Sequence, residues 1–244
     1  MRSNLSFINV YKKKSVKSEV VTQILYGEIF KIIKKYKSWI KIKNKSDNYI
    51  GFIKNRNFPK VKKNTHKVCN LKANLYSKPN IKYKINNKLC YSSKICVTQK
   101  KGIFYKFDKF WIKKNDLKKI KFTNKIVFEG IKKFINVKYK WGGKHFSGID
   151  CSGLVQIFFN FNNKFCPRDS GDQIKYFKNK VNLKNIKKSD LIFWKGHVAI
   201  AISEKKLIHA YGPFKKTVIM PINRTIDRIK KTANLKVIGI RRIS

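Results

Sequence analysis

The residues with the clearest capacity for chemistry cluster between Tyr139 and Gln156. Cys151 follows Asp150 and opens a run in which Leu154, Val155, Phe158 and Phe161 recur near helical spacing, so a helix with one apolar face is expected just behind the thiol. Asp150 occupies its N-cap position. A cysteine in a first helical turn meets unpaired backbone N–H groups and the positive end of the helix dipole, which favour thiolate and draw its pKa from about 8.5 toward roughly 3.5–7.5. A thiolate so placed is a nucleophile. The competing reading is a small buried cysteine with no chemical role.

A nucleophilic cysteine needs a base to take and return a proton, and a third group to fix the base's ring. His197 and His209 lie in adjacent strand-like segments. If the first ends at Ile202 and the second returns from Lys206 across Ser203 to Lys205, Ala199 falls opposite His209 and His197 lies diagonal to it on the same face. Two imidazoles can meet there. The small Ala199 and Ala201 leave that face open, so the Cys151 helix is expected to lie across it. Two unrelated histidines remain the alternative. A metal site built from Cys151, His197, His209 and Cys166 has the right ligand types without the usual spacings, so neither a metal nor another cofactor is expected.

The rest of the composition bounds the setting. Of the 244 residues 59 are Lys or Arg and 12 are Asp or Glu, a formal net charge of +47. Such a charge ordinarily suggests a polyanion partner. Here the excess is mainly Lys, accompanied by Asn, Ile, Phe and Tyr and spread from Lys12 to Lys236, which fits A/T-rich coding and solvated faces better than a nucleic-acid tail. No specific nucleic-acid partner is expected. The five cysteines, Cys69, Cys90, Cys96, Cys151 and Cys166, form no C-x-x-C pair and suggest neither a disulfide framework nor a zinc site. No run of about 18 apolar residues predicts a membrane span, and Met1 to Val10 is too short and polar for a signal-peptide core. The expected location is the cytoplasm; the oligomeric state is left open.

The elements that must hold these residues fall into three units. Short apolar segments at Val20–Leu25, Ile29–Ile33, Trp39–Ile42 and Tyr49–Ile53 predict a small barrel within residues 1–58. Residues 59–66, ending in His66, read as a solvated basic connector. More short strands over 67–117 predict a second, diverged barrel in which Cys90 and Cys96 pack as small hydrophobes. From Phe122, the recurrence of Ile126, Val127, Gly130, Ile131, Phe134 and Ile135 predicts an amphipathic helix ending near Val137. It opens a third unit over 120–244 that also carries strands around Leu191, Val198 and Ile208.

Taken together, Tyr139-Lys140-Trp141-Gly142-Gly143, Asp150-Cys151-Ser152-Gly153-Leu154-Val155-Gln156, Pro167-Arg168-Asp169-Ser170 with Gln173, Asp190-Leu191-Ile192-Phe193, Gly196-His197-Val198-Ala199-Ile200 and Ile208-His209-Ala210 resemble the NlpC-type cell-wall cysteine endopeptidases of papain-like fold. Tyr26-Gly27-Glu28, Trp39 to Ile42 and Tyr49 to Ile53 resemble the bacterial SH3-like domains that accompany cell-wall hydrolases. The fold class so implied is α+β, a papain-like peptidase domain preceded by two small all-β SH3-like barrels. Ser189, where the family usually has Gly, and the strongly basic surface depart from the pattern.

The resemblance implies Cys151 as nucleophile, His197 as base and then acid, and His209 as the orienting third member. It suggests Tyr139, Trp141, Asp150, Ser152 and Ser170 near the substrate, with Tyr139 a second oxyanion donor and Asp150 a partner for a substrate ammonium; Glu28 and Tyr49 of the first barrel are further candidates. The layout resembles the branch that cleaves the γ-D-glutamyl-diamino acid bond of free murein peptides, where the first barrel admits only a free N-terminal L-Ala. Two alternatives stand beside it: hydrolysis of intact wall peptides, and a non-catalytic SH3-like protein that binds an acidic polymer.

Overall fold

Alternating burial accounts for the first sheet. In the computed structural model, which describes residues 1–243, β1 (Phe7–Tyr11) buries Ile8 and Val10 and leaves the residues between them half-buried, as expected of a strand with one face on a core. With β2 (Val20–Leu25), β3 (Phe30–Lys35), β4 (Trp39–Asn44) and β5 (Ile50–Lys54) it forms an antiparallel sheet of order β2-β1-β5-β4-β3. Val10, Ile24, Phe30, Ile40, Ile42 and Ile53 pack inside it.

The middle region is also all β. It contains β6 (His66–Val68), β7 (Lys72–Tyr76), β8 (Lys84–Cys90), β9 (Lys94–Ile95), β10 (Gln99–Lys101), β11 (Phe104–Phe107), β12 (Phe110–Lys113) and β13 (Leu117–Lys119), in two sheets of order β10-β11-β12-β7-β8 and β13-β6-β9. His66 is not the solvated connector residue expected from sequence. It is buried in β6, with its Nδ1 2.8 Å from Thr65 Oγ1. Burial, followed by the charges of Lys119 and Lys100, lowers its pKa.

The helix expected over 122–137 does not form. Only one 3₁₀ turn, Ile131–Phe134, is helical, because Gly130 and Asn136 adopt φ of 73° and 63° and interrupt any continuous α-helix. Val127, Phe128, Ile131 and Phe134 still bury their side chains. The apolar spacing therefore reports burial without helicity.

The C-terminal unit begins with the two-stranded ladder β14 (Lys144–His145) and β15 (Gly148–Ile149), followed by α1 (Cys151–Phe161) and α2 (Ser170–Tyr176). Its main sheet comprises β16 (Lys180–Val181), β17 (Leu191–Trp194), β18 (His197–Ala201), β19 (Lys206–Tyr211), β20 (Lys216–Pro221) and, after α3 (Ile222–Ala233), β21 (Val237–Arg241), in the order β16-β21-β17-β18-β19-β20. Ile200 pairs with Ile208 and Ala201 with Leu207, the register inferred from the turn.

Which helix covers which face is the reverse of the expectation. Val198, Ile200, Ile208 and Ala210 pack in the core that contains α1, whereas Ala199, Ala201, Leu207 and Tyr211 pack with Ile222 and Ile229 of α3. The two alanines accommodate Trp194, which is buried in the same cluster. Ser189 adopts φ 78° and donates its N–H to Ala201 O at 2.8 Å; for a non-glycine residue that conformation costs about 1–2 kcal/mol.

The first sheet is joined to the C-terminal unit through buried polar groups. Glu28 and Lys144 form an ion pair at 3.1 Å, with side chains 4% and 0% exposed. Glu28 also accepts the Leu25 N–H at 2.8 Å, and Lys144 N–H donates to Gln23 Oε1 at 2.7 Å. Removing one member of a buried pair strands its partner's charge. Glu28→Ala is therefore expected to lower unfolding free energy by about 3–5 kcal/mol, and Glu28→Ala with Lys144→Met to recover part of that loss, both read by urea denaturation.

Candidate active site

Cys151 is the first residue of α1, and its cap is Asp150, whose Oδ1 accepts the Gly153 N–H at 2.7 Å. The backbone N–H groups of Val198 and Ser152 face its sulfur. Because Val198 follows His197, this brings the thiol to the end of β18 that carries the imidazole. His197 Nε2 lies 2.9 Å from His209 Nδ1, and His209 Nε2 lies 3.4 Å from Met220 Sδ. The order is then forced: His209 accepts at Nδ1 from His197 and directs its own N–H toward the thioether, a weak acceptor. This leaves His197 Nδ1 free for proton exchange. The Tyr211 ring stacks on His209 at 4.6 Å.

Burial sets the resting protonation. It pushes the Cys151 thiol up to about 12, with the Asp150 carboxylate adding to the effect and the Val198 and Ser152 amides opposing it. It also pushes His197 down to about 4, opposed by Asp150. His209 lies well below the ordinary histidine value, through burial and then the neighbouring His197. The thiolate expected from the helix dipole is thus replaced at rest by a neutral thiol beside a neutral imidazole. A thiol in this state can act as a nucleophile only if a base takes its proton.

Arg168 is the part of the site that sequence reasoning missed. It is 2% exposed. Its Nη1 donates to Asp150 Oδ1 at 3.0 Å and Ser152 Oγ at 2.9 Å, its Nη2 to Asp150 Oδ2 at 2.5 Å, and its Nε to Thr22 Oγ1 of β2 at 2.9 Å. Asp150 also accepts the Gly142 N–H at 2.8 Å. Its carboxylate thus accepts from Gly142, Gly153 and Arg168. Gly142 adopts φ 70°, and a Cβ there would lie 2.1 Å from Val20 O; only glycine lets the site loop lie this close to β2.

A cavity of about 450 Å³ opens beside Cys151, with Ser152, Ser170, Trp141, Tyr49 and Glu19 in its walls. Tyr139 is half-buried, and burial followed by the charges of Cys151 and Asp150 raises its pKa, keeping its hydroxyl protonated and able to donate. Trp141, although 57% exposed, donates Nε1–H to Glu19 Oε1 at 2.7 Å. Tyr49 hydroxyl donates to Asp169 Oδ2 at 3.2 Å. Glu28 lies outside the cavity, tied to Lys144 and Leu25. The first sheet's acid in the site is Glu19, whose pKa is lowered by hydrogen bonds from Trp141 and then Lys12. Asp169, which follows Arg168 in the sequence, also lines the cavity. Among the described residues no group of three or more His, Cys, Asp and Glu is placed to hold a metal ion.

A cysteine heading a buried helix, a paired histidine at the start of the central sheet and an adjoining all-β unit define the architecture of an α+β, papain-like domain. Residues 136–230 match the NlpC/P60 family and residues 4–58 match the bacterial SH3 domain; the chain thus carries an NlpC/P60 domain preceded by a bacterial SH3 domain. The chain is similar over 80 residues to a probable endopeptidase of Haemophilus influenzae, at 40% identity, covering 30% of this chain and 49% of that protein. It is 34% identical over 77 residues to a dipeptidyl-peptidase 6 of Lysinibacillus sphaericus, covering 32% and 28% respectively. The matches span less than half the length of these curated relatives. The fold is that of an NlpC/P60 family protein from Bacillus cereus, with TM-score 0.83 at 21% identity, covering 99% of this chain and 98% of that one.

Two outcomes follow from this geometry. Asparagine caps a helix as well as aspartate does, yet Asp150→Asn leaves the buried Arg168 guanidinium without its counter-charge and is expected to cost about 3–5 kcal/mol of stability, measured by denaturant unfolding against Ser152→Ala. Iodoacetamide alkylation of Cys151, corrected with Cys151→Ala, is expected to keep rising from roughly pH 7 to pH 11, since thiolate forms only on approach to its raised pKa. A plateau already reached near pH 7 would contradict the neutral resting pair.

Proposed function

We propose that the protein is a cysteine endopeptidase that hydrolyses the γ-D-glutamyl-diamino acid bond of murein peptides bearing a free N-terminal L-Ala. The observation that carries this reading is the pair of acids in the cavity wall. In a chain of net charge +47, Glu19 and Asp169 line a cavity bounded on that side by the first sheet, with Tyr49 bonded to Asp169. Two carboxylates near a phenolic oxygen suit an ammonium. The name of one relative, dipeptidyl-peptidase 6, fits removal of a dipeptide from a free amino end.

In the reaction so assigned, Cys151 Sγ attacks the γ-amide carbonyl while its proton passes to His197. The oxyanion receives the Cys151 backbone N–H and the Tyr139 hydroxyl. His197 then protonates the leaving amine, and water, deprotonated by the same imidazole, resolves the thioester. His209 holds the ring through its 2.9 Å contact. Five free cysteines suit a reducing cytoplasm, where soluble murein peptides would be the substrates.

The test is release of L-Ala-γ-D-Glu from L-Ala-γ-D-Glu-diaminopimelate, monitored by mass spectrometry. Cys151→Ala should abolish release, and N-acetylation of the substrate should reduce kcat/KM by about 10- to 100-fold, the worth of one charged hydrogen-bonded contact. Equal cleavage of the blocked peptide would favour action on intact wall; release surviving Cys151→Ala would end the cysteine mechanism.

A further inference from the structure

The cavity contains a cation as well as acids. Lys12 and Glu19 face each other across the β1–β2 hairpin, where the Lys12 N–H donates to Glu19 O at 3.0 Å and the Lys12 ammonium lies 3.3 Å from Glu19 Oε2. Both line the cavity that holds Cys151. The Lys12 side chain is 64% exposed, so its long stem is free to turn from Glu19 to another partner. Glu19 keeps a second contact when it does, because Trp141 holds its other oxygen at 2.7 Å.

The charges of the wall can be sorted. Asp150 is neutralised by Arg168 at 2.5 Å, which leaves Glu19 and Asp169 as two negative groups and Lys12 as one positive group. The acyl half of L-Ala-γ-D-Glu-diamino acid has the complementary pattern. It carries one ammonium and, because the γ-carboxyl is in the scissile amide, one free α-carboxylate. That carboxylate branches from the carbon chain between the ammonium and the carbonyl that Cys151 attacks. A ligand whose ammonium engages Glu19 and Asp169 therefore presents its carboxylate within the same stretch of cavity wall that Lys12 occupies.

We infer that Lys12 is a specificity residue that leaves Glu19 when substrate binds and takes the α-carboxylate of D-glutamate, so that the site selects γ-linked D-glutamate over its α-amide, D-isoglutamine. The inference rests on the proposed peptidase function and adds to it the identity of the group beside the scissile bond. It gives Lys12 no part in the chemistry of the sulfur. Lys12→Arg keeps the charge, whereas Lys12→Met keeps most of the stem and removes it. Lys13, exposed and outside the cavity wall, is the control for the general charge of the hairpin.

The experiment compares kcat/KM for L-Ala-γ-D-Glu-L-Lys and L-Ala-D-isoglutaminyl-L-Lys. Wild-type protein and Lys13→Met are expected to prefer the free acid by about ten-fold, the scale of one charge-assisted contact at a half-open site. Lys12→Met should lose that preference, mainly through a higher KM for the acid, and Lys12→Arg should keep most of it. A preference unchanged in Lys12→Met, or a parallel change for both peptides, overturns the inference and leaves the peptidase reading intact; the parallel change would identify Lys12 only as a competitor for Glu19. A wild-type protein that cleaves neither peptide removes the peptidase reading, and this inference with it.

Discussion

The buried Arg168–Asp150 pair is the interaction on which the site depends. Asp150 caps the helix that begins with Cys151, so anything that fixes its carboxylate also fixes the sulfur. Arg168 does this with two nitrogens, adds the Ser152 hydroxyl, and reaches across to Thr22 in the first sheet. A guanidinium suits the task because its donors are planar and fixed in relative direction. The same group removes Asp150 from the cavity's charge balance, leaving Glu19 and Asp169 as the acids with free capacity.

Electrostatic control at the sulfur runs against the simplest view of a helix N-terminus. The dipole and two amides favour thiolate, but burial and the adjacent Asp150 carboxylate outweigh them. The sulfur therefore keeps its proton at rest. In the line His197, His209, Met220, a thioether holds the position that a carbonyl or carboxylate commonly takes beside a histidine. A soft, weak acceptor fixes the tautomer of His209 without drawing positive charge onto it.

Local signals in the chain were readable where the physics is local. The Asp150 cap and the apolar spacing behind Cys151 give α1, and a three-residue turn gives the β18–β19 register that brings His197 to His209. The failures have a common cause. Alternation along β18 separates two faces but does not say which helix covers which, so α1 lies on Val198 and Ile200 and not on Ala199 and Ala201. Apolar spacing over 122–137 reports burial while two left-handed residues prevent the helix. Glu28 and Glu19 are both acids of the first barrel, and only tertiary packing turns one toward Lys144 and the other toward Trp141. Arg168 gives no local cue, because its partners lie 18 and 146 residues away in sequence.

The strand order also bears on when the site comes into being. β21, the last strand among the described residues, lies between β16 and β17, and Phe193 of β17 pairs with Gly239 on one side and Val198 on the other. During synthesis all strands of the first sheet emerge before Trp141 and Asp169, the partners that hold Glu19 and Tyr49. The sheet that carries both histidines lacks an interior strand until residues 237–241 emerge. The strand that supports both histidines thus follows them in sequence, and the sheet beneath them is complete only once residues 237–241 have joined it.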